Sequence, residues 1–165
     1  MNRILCVALG LALALPAMQA SAADAGKVSF WNSLAGPGSC LDVVNDGQNR
    51  TLALSACKDV SGQAWTVSKP DTAGYSKLRT EFTGKGKCLD IAGEGKSAKP
   101  EMSTCGDFSG QLWMVGKPRK DGTVRLETQF TGRGMCLDLV REGKGEVLAM
   151  TPCGEGESQK WLVVK

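Results

Sequence analysis

The chain has 165 residues, with 20 Lys or Arg set against 17 Asp or Glu and no histidine. A formal charge of +3 with both signs interspersed lacks the clustered basic stripe expected of a nucleic-acid binder. Without histidine the usual general base at neutral pH is missing, and no C-x-x-C spacing offers a zinc site.

At the N-terminus Arg3 precedes the apolar residues 4–15, then Pro16 and the small-residue stretch QASAADA. That order is a secretory signal peptide, predicted over residues 1–23 with cleavage near Ala22 or Ala23. The apolar run falls short of the roughly 20 residues that span a bilayer, and nothing later is apolar enough to do so. Cys6 lies inside the run and is poorly placed for lipidation. The mature chain is therefore expected to be exported, secreted or periplasmic, and to lose one positive charge with Arg3.

From residue 24 onward the chain repeats with a period of 48, over about 24–69, 70–117 and 118–165, without a gap. Phe30 aligns with Leu78 and Leu126, and Leu34 with Phe82 and Phe130. The glycines Gly36 and Gly38 recur as Gly84 and Gly86, then as Gly132 and Gly134. Cys40-Leu41-Asp42 returns at 88–90 and 136–138, and Gln63-x-Trp65 returns at Gln111-x-Trp113 and Gln159-x-Trp161. Each unit shows short alternating runs broken by Gly, Pro, Asn and Asp, the pattern of about four strands. In CLDVV, Leu41 and Val43 face the core while Cys40 and Asp42 face away; TLALSAC puts Leu52 and Leu54 on one face. A single unit is too small to bury its apolar face, but three packed about an axis can do so.

Removing Cys6 with the signal peptide leaves six cysteines, two per unit and always 17 apart. In an oxidising compartment this reads as a disulfide framework. Treating the units alike selects Cys40–Cys57, Cys88–Cys105 and Cys136–Cys153. Each bridge closes a loop worth roughly 3 kcal/mol on the chain-entropy model.

The thrice-repeated Cys-Leu-Asp and Gln-x-Trp motifs resemble the ricin-type β-trefoil lectin family over nearly all of the mature chain. The resemblance implies an all-β trefoil of twelve strands, six closing a barrel and six forming three capping hairpins. It also implies that Trp65, Trp113 and Trp161 are core residues, and that each Gln anchors backbone at a bend. Sugar binding in such proteins is expected of the motif aspartates, here Asp42, Asp90 and Asp138, beneath an aromatic ring two residues before the second cysteine.

That ring is absent. If Cys40 directly faces Cys57, opposed residues of repeat one keep an index sum of 97 and Asp42 faces Ser55; by the same offset Asp90 faces Ser103 and Asp138 faces Thr151. Hydroxyls thus stand where the family pattern calls for Trp or Tyr. No Asn precedes Gln63, Gln111 or Gln159. Each Asp could equally serve the fold by accepting from its hydroxyl neighbour and nearby turn amides. Phe108 offers a substitute platform in the second unit, so the site expected to survive there consists of Asp90, Glu101, Phe108 and Gln111. The resulting expectation is a non-catalytic, exported glycan or glycoprotein binder with degenerate sites, needing neither cofactor nor metal. The alternative is an interaction trefoil with a separately encoded protein partner, similar to the trefoil subunits of cytolethal distending toxins, or an inhibitor.

Overall fold

The computed structural model describes residues 26–91 and 99–165. The predicted signal peptide lies outside the described residues. In chain order the strands are β1 (Ser29–Asn32), β2 (Ser39–Val43), β3 (Leu52–Ala56), β4 (Trp65–Val67), β5 (Leu78–Thr80) and β6 (Lys87–Ile91). They continue with β7 (Pro100–Thr104), β8 (Trp113–Val115), β9 (Leu126–Thr128), β10 (Met135–Glu142), β11 (Gly145–Pro152) and β12 (Trp161–Val164).

Six of these strands form a ring. β12 pairs with β1, β4 with β5 and β8 with β9, all antiparallel. Backbone bridges Val28↔Trp65, Ser76↔Trp113 and Val124↔Trp161 join one pair to the next. Among the described residues each strand of the ring therefore has a neighbour on both sides, so the ring presents no open sheet edge. The hairpins β2–β3, β6–β7 and β10–β11 cap it, with β3, β7 and β11 in mutual contact. This is the β-trefoil that the family resemblance implies.

The three Gln-x-Trp tryptophans are fully buried, and each indole N–H donates to a backbone carbonyl of the hairpin in its own repeat. Trp65 Nε1 donates to Leu41 O at 2.9 Å, Trp113 to Leu89 O at 2.8 Å and Trp161 to Leu137 O at 3.0 Å. A large ring whose one polar atom is satisfied can sit wholly in the core. Phe30 meets Trp65 edge-on, with centroids 6.1 Å apart, and Leu78 and Leu126 repeat its position with full burial.

The three disulfides form within repeats as the spacing predicts, each with a Cα–Cα distance of 5.0 Å. The register differs from expectation by two residues. Cys40 pairs with Ser55, so Asp42 opposes Ala53, Asp90 opposes Glu101 and Asp138 opposes Ala149. The reason is that Cys57 lies past the end of β3. Its N–H donates to Gly38 O at 2.7 Å, and the bridge runs diagonally to Cys40. Gly38, at φ +96, turns the chain into β2 so that this diagonal can form. Cys40, Cys88 and Cys136 are accordingly buried rather than facing outward.

Candidate functional site

Each repeat builds the same polar knot from its motif Asp and Gln. In repeat two, Gln111 Nε2 lies within donating distance of Asp90 Oδ2 at 2.9 Å, Thr104 O at 2.9 Å and Ser103 Oγ at 3.1 Å. Its Oε1 accepts from Gly106 N–H at 2.9 Å. Gln159 stands in the same relation to Asp138 Oδ2 (3.0 Å), Thr151 Oγ1 (2.7 Å) and Pro152 O (2.9 Å), and accepts from Gly154 N–H. Gln63 donates to Asp42 Oδ2 and to Ala56 O, both at 3.0 Å, and accepts from Lys58 N–H. The glutamines therefore anchor the chain just after the second cysteine and aim the aspartate at the same time.

Hydroxyl partners complete the knot in two repeats only. Ser103 donates to Asp90, and Thr151 to Asp138. These bonds are diagonal across the hairpin, since the direct partners are Glu101 and Ala149. The side chain of Ser55 makes no such bond to Asp42. It instead lines an open cavity of about 280 Å³ together with Asp42, Asn45, Val60, Gly62 and Phe82.

Local backbone chemistry opens that cavity. After Val43 the chain leaves the hairpin in a loop held by Asp46, whose carboxylate accepts from the N–H groups of Gln48 and Asn49 and from the Thr51 hydroxyl. Those bonds, the Thr51 hydroxyl foremost, lower the Asp46 pKa to about 2. Asn49 takes a left-handed conformation at φ 54 within this loop. Gly62 presses its backbone on the aspartate: a Cβ there would overlap the Asp42 carboxylate and stand 2.9 Å from Val43 O. Gly110 does the same over Asp90, whereas repeat three has Ser158 at this position.

The aromatic wall comes from the neighbouring repeat. Phe82 follows β5, and its N–H donates to Ser61 O at 3.1 Å, which brings its ring to the repeat-one cavity. Phe130 holds the same backbone relation to Ser109 in repeat two. Leu34 is the aligned residue for repeat three. The 48-residue alignment contains the Leu34, Phe82, Phe130 series, but the period alone does not say which unit's site each one borders.

Of the second-repeat residues singled out by sequence, Asp90 and Gln111 are bonded and Glu101 lies opposite Asp90. The Glu101 carboxylate pairs with Arg50 of repeat one. The Phe108 ring packs against Gly106 and is 60% exposed. As for metals, among the described residues Glu127, Cys136 and Cys153 cluster, but both sulfurs are bridged and only one carboxylate remains as a ligand.

The profile of the ricin-type beta-trefoil lectin domain matches residues 74–165. The chain belongs to the ricin-type β-trefoil lectin family. No curated protein sequence matches it significantly. Among solved structures this ricin-type chain is similar to the designed threefold-symmetric protein ThreeFoil, at TM-score 0.71 and 20% identity over 85% of this chain and 99% of that one. A ricin B-like lectin from Macrolepiota procera, solved with lactose, aligns at TM-score 0.66 and 19% identity over 85% and 96% of the two chains. The Haemophilus ducreyi cytolethal distending toxin aligns at TM-score 0.61 and 16% identity over 93% and 89%. At these identities the structural likeness establishes the fold.

Proposed function

We propose that this ricin-type trefoil is an exported, non-catalytic saccharide-binding protein whose main sugar site is the repeat-one cavity. The observation that carries the reading is the meeting of four features in that cavity: the Asp42 carboxylate, the Asn45 amide, the Ser55 hydroxyl and the Phe82 ring. A carboxylate with one oxygen held by Gln63 is oriented to accept from sugar hydroxyls, and the amide and hydroxyl can donate or accept beside it. Phe82 and Val60 provide an apolar wall for the C–H face of a pyranose. Preorganisation by Gln63 means the aspartate does not have to be ordered on binding. Family membership supports a glycan as ligand, and the lactose-bound Macrolepiota lectin suggests lactose as a first probe.

Repeat two takes second place, with Asp90, Gln111 and Phe130 as its elements and Glu101 and Phe108 at its margin. Non-catalytic action is supported by a chain without histidine and by the six mature cysteines being paired. Those disulfides also suit export into an oxidising compartment. A glycan array on the mature protein, followed by titration with lactose, tests the reading. Retained sugar binding in Asp138→Asn, with loss in Asp42→Asn and Phe82→Ala, is the expected pattern. Binding that survives Asp42→Asn and Phe82→Ala together would refute the assignment.

One observation favours a protein partner as second reading. Leu34, Phe108 and Phe130 are large apolar side chains left 55%, 60% and 44% exposed. A pull-down that depends on Phe108 and not on Asp42 would support it.

A further inference from the structure

A second cavity, of about 430 Å³, lies on the barrel wall outside all three motif-aspartate knots. It is lined by Lys27, Thr66, Arg79, Thr80, Glu81, Gly84 and Lys85. Its one acid, Glu81, already accepts from Lys27 Nζ at 2.8 Å. Arg79 faces Thr66 across the β4–β5 pair, and among the described residues neither Arg79 nor Lys85 has a carboxylate partner. The Arg79 Nε is buried and makes no hydrogen bond.

That state is costly. A buried guanidinium N–H without an acceptor forfeits its hydration and gains nothing in exchange. Arg119 and Arg125 also bury a nitrogen without a bond, but both hold Glu155 through another. Nor does the trefoil need a cation at position 79, because the aligned residues in the other repeats are Trp31 and Glu127. A guanidinium fork with a neighbouring ammonium matches the oxygens of a sulfate or carboxylate. The turn that follows β5 connects the two cavities: Phe82 lines the sugar cavity of repeat one, while Glu81 and Gly84 line this one.

We propose that Arg79 and Lys85 form an oxyanion subsite that takes a sulfate or carboxylate group carried by a saccharide seated in the repeat-one cavity. The saccharide source rests on the glycan reading above; the oxyanion subsite stands without it. The test uses the mature protein and two probes, sodium sulfate and a sulfated lactose with lactose as its parent. Sulfate is expected to shift the NMR resonance of Arg79 Nε–H beyond any effect of chloride at equal ionic strength. Sulfated lactose is expected to bind more tightly than lactose, and Arg79→Gln to reduce that preference about tenfold, as loss of a charge-assisted hydrogen bond would. Lys85→Gln acts in the same direction without disturbing a buried atom.

If sulfate leaves the Arg79 resonance unmoved and Arg79→Gln does not alter the preference for the sulfated sugar, the subsite is overturned. If sulfate shifts Arg79 but sulfated lactose binds no better than lactose, the saccharide source is overturned and a free anion takes its place. If neither sugar binds while sulfate still shifts Arg79, the glycan reading fails and the oxyanion subsite holds.

Discussion

In repeat three the hairpin β10–β11 stays paired to its tip, from Met135↔Pro152 out to Glu142↔Gly145, whereas β2–β3 of repeat one ends its ladder at Val43↔Leu52. Asp138 is buried, bonded by both Gln159 and Thr151, and its Oδ1 is sealed from solvent without a partner. Asp42 is half-buried, bonded by Gln63, and faces a cavity. The loop after Cys153 is clamped by Arg119 and Arg125 on Glu155, while in repeat one the aligned stretch carries Lys58 and Asp59 and Ser29 stands where Arg125 does. One sequence unit has thus been put to two uses. Repeat three spends its Asp on the fold, and repeat one leaves its Asp facing outward. The motif itself is the same in both, so the difference comes from the loop at 44–51, from Gly62 against Ser158, and from the neighbour's Phe82 against Leu34.

The largest effect tests what the repeats share. Trp161→Ala and Trp65→Ala should each cost about 3–5 kcal/mol, because each removes a fully buried ring and leaves a cavity. Thermal unfolding of the two variants should give similar losses, and a marked inequality would mean that the core itself departs from threefold equivalence.

Next in size are the bridges. Replacing Cys136 and Cys153 by serine should lower stability by roughly 3 kcal/mol, and the Cys40/Cys57 pair by a similar amount, since both loops have the same length. Denaturant titration of the two double variants checks this. The repeat-one variant should also weaken sugar binding, because the Cys57 end positions the Gln63 anchor.

Gly62→Ala sharpens the comparison further. The added methyl meets the Asp42 carboxylate and Val43 O, so sugar binding should fall sharply with a stability loss of about 1–3 kcal/mol. Ser158→Gly at the aligned position should change stability by less than about 1 kcal/mol and leave binding intact.

The smallest effect is that of pH. Asp46 in repeat one and Asp121 in repeat three have folded pKa values lowered from 3.8 to about 2, by hydrogen bonds from the Thr51 and Thr123 hydroxyls first of all. Glu155 is lowered as well, by Arg119 and then Arg125. Lowered carboxylates contribute stability that is present above their ordinary pKa and is lost as pH falls through the folded value. Lys160, raised chiefly by its bond to Glu157, loses its contribution only as pH rises through its elevated pKa. With no histidine to titrate, stability should be flat between roughly pH 5 and 9 and decline below about pH 4. A midpoint transition near neutrality in thermal scans would contradict this.

The sequence makes the architecture readable because the same constraints are written three times. Cysteines 17 apart, tryptophans two after a Gln and a period without gaps leave little freedom for pairing or core. The site was less legible for two physical reasons. A disulfide can join diagonal neighbours as well as direct ones, so Cys40–Cys57 did not fix the register, and Asp42 opposes Ala53 instead of Ser55. The apolar wall of the repeat-one cavity arrives from the next repeat, so a search within each unit for a ring beside its own aspartate turns up only Phe108 in the second, although Phe82 aligns with Leu34 and Phe130. The Gln63–Asp42 bond joins residues 21 apart, and neither motif read alone announces it.

The most direct measurement is a residue-resolved NMR titration of the protein with the strongest glycan-array ligand, starting from lactose. The account predicts that the amide signals of Asn45, Ser55, Gly62 and Phe82 shift together and saturate at one affinity, while those of Asp138, Thr151 and Ser158 stay in place. Shifts centred on Asp138, or lying away from all three motif aspartates, would contradict it.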